Sequence, residues 1–212
     1  MSFRLRFASG DVRILETQRV FDGYFAVDRK TLQHRAFGGG WAEPVVREVF
    51  ERGDAVGVLP YDPESDTLIL VEQFRAGALD DDESPWMLEL VAGIVDAGES
   101  DEAVVHREAE EEAGCLLDAL IPIASFYPSS GACSEHVRLF VGRVVSADAG
   151  AVRGLDSEGE DILVHRLAVD EVLELLAAGR INNGHTLISL QWLALHRDEL
   201  RERWSVRPSG AP

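Results

Sequence analysis

Two cysteines, Cys115 and Cys133, are all that the 212 residues contain. Their separation matches no metal-ligand spacing, so neither a disulfide framework nor a zinc site is expected. Both read as small buried hydrophobes. Long apolar runs are also missing. Nothing approaches the roughly 20 residues needed to span a bilayer, which argues against a membrane protein. The amino-terminal stretch MSFRLRFASGDVRILE lacks the continuous apolar core of a signal peptide, and a cytoplasmic, unprocessed chain is expected. Basic residues are scarce beside acidic ones: 38 Asp and Glu against 20 Lys and Arg leave a net charge of −18. Without a basic cluster, such a chain repels a nucleic-acid backbone. An anionic small substrate stays compatible only if local cations, a metal or well-placed arginines, receive it.

What is present is a chain patterned almost throughout. Apolar residues make up 46% and charged residues 27% of it, the balance of an ordinary folded protein. Internal repeats and low-complexity tracts are absent, and only Ser205 to Pro212 reads as a tail. Between Arg4 and Phe50, short alternating stretches (Arg13 to Thr17, Tyr24 to Val27, Val45 to Phe50) broken by Gly38, Gly39 and Gly40 predict an antiparallel sheet of its own. Glu51 to Asp54 is a polar joint. Two strands follow, Ala55 to Pro60 and Thr67 to Phe74, around the turn-rich Tyr61 to Asp66. A third apolar run, Trp86 to Ile94, leads into a helix with Ser100 as N-cap, Asp101 and Glu102 in its first turn and Gly114 near its end. Strands at Ile121 to Tyr127, Val137 to Val145 and Ile162 to Leu167, with helices at Val169 to Ala178 and Thr186 to His196, complete an α+β chain.

The chemistry concentrates in GIVDAGESDEAVVHREAEEEAGC, which begins at Gly93. At about 100° per residue, Glu108 and Glu112 lie about 40° apart on the helix and Glu111 about 60° from Glu108, so three carboxylates share one face. Like charges spaced this way repel by a few tenths of a kcal/mol, a cost that a cation would turn into affinity. Magnesium suits the set, since it takes hard oxygen ligands and is commonly shared between one or two carboxylates and substrate phosphates. Arg107 can pair with a neighbouring carboxylate and orient it. Three glutamates alone, in so acidic a chain, would read as a solvated helix face.

The complete pattern reads differently. Gly93, Glu99, Arg107, Glu108, Glu111, Glu112 and Gly114 all fall where the signature of the Nudix hydrolase family has them, and at average residue usage seven such positions agree by chance roughly once in 10^7 to 10^9 starts. Ala109 and Cys115 are smaller than the aliphatics common at their positions, a departure that touches packing. The resemblance implies an α/β/α sandwich with a mixed central sheet, joined here to an amino-terminal antiparallel β-sheet subdomain. The parts expected are that subdomain over 1–52, a Nudix hydrolase domain over 53–200 and a carboxy-terminal tail over 201–212. It also implies divalent-cation-dependent hydrolysis of a nucleoside diphosphate linked to another group, with Glu108, Glu112 and the Ala92 carbonyl as metal ligands, Glu111 close by and Arg107 as a brace. Magnesium is expected, with manganese as a substitute.

The flanking stretches FERGDAV (50–56), VEQFRAG (71–77), PWMLELVAG (85–93), GLDSEGEDI (154–162) and ISLQWL (188–193) are similar to the bacterial ADP-ribose pyrophosphatase subfamily. By that resemblance the catalytic base lies on a loop beyond the box, Glu158 first and Glu160 second. Arg107 belongs with them in the catalytic set, and Tyr24, Arg47, Arg75 and Glu135 contact substrate. Arg47, Arg52 and Arg75 each end an apolar strand pattern, and an arginine fork suits phosphate oxygens. The subfamily carries a proline within a serine-proline-glycine run after the box. Here the run is Ser129-Ser130-Gly131, with Pro128 displaced by two, so GDP-mannose and other nucleotide sugars remain alternatives to ADP-ribose. A non-catalytic nucleotide sensor is the rival class, disfavoured because all the box carboxylates are present. The subfamily exchanges its amino-terminal sheet between subunits, which implies a homodimer with Tyr24 and Arg47 contributed across the interface.

Overall fold

Strands β4 (Ala55–Asp62) and β5 (Thr67–Phe74) are buried on both faces, as their unbroken apolar runs require. They lie at the centre of the larger of two compact units. The computed structural model describes residues 3–155, 157 and 159–205. One unit comprises Met1–Asp54 with Tyr127–His136, the other Ala55–Phe126 with Val137–Pro212. Among the described residues no helix is long and apolar enough to cross a membrane.

In the larger unit the sheet runs β10 (Val152–Arg153), β11 (Ile162–Ala168), β5, β4, β9 (Val137–Ser146), β8 (Leu116–Phe126). It is mixed, because β4 and β9 pair in parallel while the other neighbours are antiparallel. β4 and β5 hold only two paired positions beside their turn, Tyr61 with Leu68 and Asp62 with Thr67. Beyond that point β5 pairs with β6 (Trp86–Glu89) and β4 with β7 (Val91–Ile94). The single apolar run expected over Trp86 to Ile94 is therefore two strands, and Leu90 is where the chain changes partner. Alternation of side chains divides the core. Leu59, Tyr61, Leu68 and Leu70 face α2 (Val169–Ala177) and α3 (Gly184–Ser205), while Val56, Val58, Ile69 and Val71 face α1 (Asp101–Ala113). Helices thus cover both faces of a mixed sheet, the sandwich that the family resemblance implies.

The smaller unit is a three-stranded antiparallel sheet, β1 (Val12–Asp22), β2 (Ala26–His34) and β3 (Val45–Glu51), in that order. Gly39 and Gly40, at φ 104° and 73°, take the left-handed turn between β2 and β3 that side chains disfavour. Trp41 is held there between Arg13 and Arg35, whose guanidinium carbons lie 3.8 and 4.4 Å from its ring centre. Residues 127–136 join this sheet by one parallel bridge, Phe50 to Cys133, with Phe50 N–H donating to the Ala132 carbonyl at 2.8 Å. Tyr24 is not in a strand as its pattern suggested; it sits in the β1–β2 turn, 88% exposed.

Local chemistry explains the helix ends. Ser100 accepts from Ala103 N–H at 3.3 Å and so caps α1, whose end is closed by Gly114 at φ 53° with Cys115 N–H reaching back to the Ala109 carbonyl at 2.8 Å, a left-handed cap that glycine permits. Helix α3 runs well past His196, the end expected from the sequence pattern. Leu190, Leu193, Leu200 and Trp204 are all buried and continue one apolar stripe through the charged stretch that masked it.

Candidate active site

Helix α1 lays its acidic side against β7. A Cβ added at Gly93 would stand 1.9 Å from Glu108 Oε1 and 2.2 Å from its carboxyl carbon, so the absence of a side chain on Gly93 is what lets the Glu108 carboxylate lie over the strand. One turn on, Glu112 is 3% exposed and accepts a hydrogen bond from the Ala92 N–H at 3.2 Å. Burial pushes the Glu108 carboxyl up to about 7, with the adjacent Arg107 opposing the shift. Burial pushes Glu112 up to about 8; the Glu108 charge adds to the effect and the Ala92 N–H opposes it. Two carboxylates are thus held in a place where neither is comfortable as an anion.

Arg107 gathers the rest of the box. Its Nη1 donates to Glu108 Oε1 at 2.8 Å and to Glu111 Oε2 at 3.0 Å, and its Nη2 lies 3.5 Å from Glu99 Oε2. Glu111 shares the helical side predicted for it, yet it turns outward to Arg107 and lines a cleft of about 770 Å³. Across that cleft are Arg153, Leu155, Glu160 and Asp161. Gly154, at φ 102°, has room for no Cβ, since one would meet the Glu160 Cβ at 2.6 Å. Glu160 Oε2 accepts from Leu155 N–H at 3.0 Å, and its charge is among those that raise Glu108 and Glu112, so it faces the box. Glu158, the first candidate for the base, lies outside the described residues.

Arg75 follows β5 directly. Its Nε and Nη2 donate to Glu89 Oε2 at 3.0 and 2.7 Å. Burial alone would lower the guanidinium; the bonds to Glu89 and the charges of Glu112 and Glu160 outweigh it and hold it above its ordinary value. Glu89, buried at the end of β6, also accepts from Gln73 Nε2 at 3.4 Å and, on its other oxygen, from Asn183 Nδ2 at 2.9 Å. Sequence reasoning named neither Glu89 nor Asn183. Two signals were available: an acidic residue inside an apolar strand run, and an Asn three positions before a Thr at a helix start.

In the smaller unit, Arg47 is mid-strand in β3 and exposed rather than at a strand end, with Nη1 donating to the Val46 carbonyl at 2.8 Å. Tyr24 packs edge-on against Phe25, ring centres 4.7 Å apart. Glu135 is 5% exposed and 3.4 Å from Arg52 Nη1. Glu135 Oε1 and Arg52 Nε are buried without a hydrogen-bond partner among the described residues. Burial raises the Glu135 carboxyl and Arg52 opposes it.

Among the described residues no three or more His, Cys, Asp or Glu side chains are gathered tightly enough to hold a metal ion by themselves. The donor set still fits a hard divalent cation of the kind shared between protein and substrate, which needs only one or two carboxylates. Glu108 and Glu112 could supply those oxygens, and Gly93 leaves the space in which the first of them lies.

The sequence model described as NUDIX domain matches residues 51–190. An ADP-ribose pyrophosphatase of Escherichia coli (strain K12) is 41% identical over 199 residues, covering 94% of this chain and 95% of the relative. A GDP-mannose pyrophosphatase of Yersinia pestis (strain Pestoides F) is 34% identical over 152 residues, 71% of this chain and 76% of the relative. A solved structure described as an ADP compounds hydrolase superposes with a TM-score of 0.68 at 22% identity, covering 97% of this chain and all of that one; at that identity the likeness bears on the fold.

Proposed function

The chain belongs to the NUDIX family, and from that premise we propose that it hydrolyses the diphosphate of ADP-ribose to AMP and ribose 5-phosphate, with magnesium as cofactor and manganese as a substitute. The observation that carries the reading is the pair of carboxylates, half-buried Glu108 and buried Glu112, laid against Gly93 and Ala92. The substrate follows from the relatives. The one named for ADP-ribose matches nearly the whole chain, whereas the one named for GDP-mannose matches a smaller share.

Glu108, Glu112 and the Ala92 carbonyl would hold the cation, with Glu111 close by. When bound, magnesium neutralises the diphosphate and polarises the bond to be cut. Arg107 keeps Glu108 and Glu111 in fixed positions through its shared Nη1, and Arg75 binds phosphate oxygens. A water adds to phosphorus, the P–O bridge bond breaks, and the water's proton passes to Glu158, or to Glu160 if Glu158 is not the base. Tyr24, Arg47 and Glu135 contact the nucleoside and ribose. The protein works as a homodimer in the cytoplasm. All eleven residues of β1 are exposed, Ile14 at 65% and Phe21 at 60% among them, and a second copy would cover apolar surface that a monomer leaves in water. A monomeric mass at micromolar concentration would refute the dimer.

GDP-mannose is the second reading, favoured by Ser129-Ser130-Gly131 in place of a proline-containing run. A panel of ADP-ribose, GDP-mannose, UDP-glucose, NADH and diadenosine polyphosphates, ranked by kcat/KM with magnesium and with chelator, separates the two. ADP-ribose should rank first, release AMP and fail with chelator. Another substrate in first place would overturn the assignment, and no turnover at all would leave the sensor class.

A further inference from the structure

We infer that Glu89 and Asn183 are positioning residues that fix the Arg75 guanidinium in the orientation in which it meets a substrate phosphate. The inference rests on the reading of Arg75 as a phosphate-binding residue.

Arg75 lies just beyond β5, ahead of the short 3-10 turn Ala76–Ala78; its backbone is held, with N–H donating to the Pro85 carbonyl at 2.8 Å, but Phe74, Ala76 and Gly77 beside it are all exposed. Its own side chain is 43% exposed, whereas that of Glu89 is 3% exposed. The buried member of the pair therefore anchors the outer one. Freezing a long arginine costs rotamer freedom, and binding is weakened by that cost unless the folded protein has already ordered the side chain.

Glu89 is itself locked. Its Oε2 accepts both Arg75 donors and Gln73, and its Oε1 accepts Asn183 Nδ2. With the Nε and Nη2 edge of Arg75 engaged in this way, the guanidinium turns its Nη1 end toward any further anion, and a fork of this kind suits phosphate oxygens. Asn183 is held in turn by α3. Its Oδ1 accepts from Thr186 N–H and Thr186 Oγ1, both at 3.1 Å, and Thr186 Oγ1 accepts from Leu90 N–H at 2.9 Å. Leu90 is two residues before Ala92, whose N–H meets Glu112. A path of hydrogen bonds and two residues of chain therefore runs from Arg75 to β7, the strand against which the box carboxylates of α1 lie, so the phosphate contact and the cation site share a frame. The amide at 183 serves both ends at once, its Nδ2 donating to Glu89 while its Oδ1 accepts at the start of α3.

Asn183→Asp and Asn183→Ser both keep the cap of α3 and both remove the amide donor to Glu89. Each should keep Tm within a few degrees of wild type and raise KM about tenfold for whichever substrate the wild type hydrolyses fastest, with kcat changed much less. In an Arg75→Ala background the same substitutions should add less than about twofold, because their effect runs through Arg75. An unchanged KM in both variants overturns the inference, as does an undiminished effect in the Arg75→Ala background. If Arg75→Ala itself has the wild-type KM, the phosphate role of Arg75 falls, and the inference with it. An impaired Arg75→Ala beside unaffected Asn183 variants overturns the inference alone. Should Asn183→Asp not fold, Asn183→Ser carries the same comparison.

Discussion

Replacing Gly93 with alanine should separate what Glu108 does for catalysis from what it does for stability. The added Cβ would lie 1.9 Å from Glu108 Oε1, 2.2 Å from Cδ and 2.5 Å from Cγ. Because Cγ is within the clash, rotating the carboxylate alone does not relieve it, and the whole side chain must leave β7. Gly93 is not among the residues with positive φ, so alanine has no backbone difficulty and the conflict is purely steric. Overpacking of a core costs about 1–3 kcal/mol. The lower end applies here, about 1 kcal/mol, because the displaced group is a long side chain whose burial as an anion was itself unfavourable. For a chain of this size that is a fall of about 2–4 °C in Tm. Activity should fall far more, by on the order of 10² to 10³ in kcat, since a carboxylate placed to hold a cation has been moved away. Thermal melts run beside initial rates over a magnesium titration measure both effects. Gly38→Ala, where an added Cβ meets nothing, is the control. If Gly93→Ala retained kcat within about threefold of wild type, the carboxylate lying over Gly93 would not be the working geometry.

Glu112→Gln keeps an oxygen for the Ala92 N–H and removes the charge. Turnover should drop by on the order of 10² or more, while in chelator the variant should melt no lower than wild type, because burial already disfavours the ionised carboxyl and the amide keeps the acceptor for Ala92; undiminished turnover would remove Glu112 from the site. Asp66, in the left-handed region at φ 54°, is held below the usual carboxylate range first by its hydrogen bonds from Arg197, with burial opposing and the Tyr61 hydroxyl assisting. Its folded value is thus below its unfolded one, so its contribution to stability is complete above the unfolded value of about 3.9 and is lost as pH falls toward the folded value. Asp66→Asn, which tolerates the same backbone, should flatten the acid side of a stability curve from denaturant melts between about pH 2.5 and 5; an unaltered slope would show that the pairing has no such linkage. Cys115, with its thiol pushed up to about 12 by burial, should resist alkylation at pH 8 in the folded protein and react once it is unfolded, which mass spectrometry after iodoacetamide would decide.

Much of the fold was legible wherever a local pattern was also the decisive one. The runs at β4 and β5 are buried on both faces, so nothing but their own composition had to be read. Ser100 and Gly114 mark the ends of α1 through contacts within a few residues. Reading failed where the decision is made by distant partners. Trp86 to Ile94 looks like one strand because hydropathy does not say that β5 will pair its first half and β4 its second. Helix α3 looked shorter because Arg197 and its charged neighbours interrupt the apolar count, although Arg197 is bound to Asp66 and Asp170 and the stripe resumes at Leu200.

The site divides in the same way, and the division says which arginine can meet a phosphate. Helical geometry placed Glu108, Glu111 and Glu112 on one side of α1, but only contact with β7 decides that Glu112 goes inward while Glu111 turns out to Arg107. That outward turn occupies Arg107 with Glu108 and Glu111, Glu99 lying near as well. A guanidinium committed to several carboxylates gains little from another anion. Arg153, across the cleft, is paired with Asp148. Arg75 differs, because one carboxylate, Glu89, takes one edge of it and is itself held by Asn183, while the charges of Glu112 and Glu160 act on it from the box. In a chain of net charge −18, a cation so placed offsets the repulsion that a diphosphate would otherwise meet on approaching these glutamates. Sequence patterns could nominate Arg75, but the residue that makes it usable, Asn183, is 108 positions away by the numbering (183 − 75) and becomes visible only when α3 has docked.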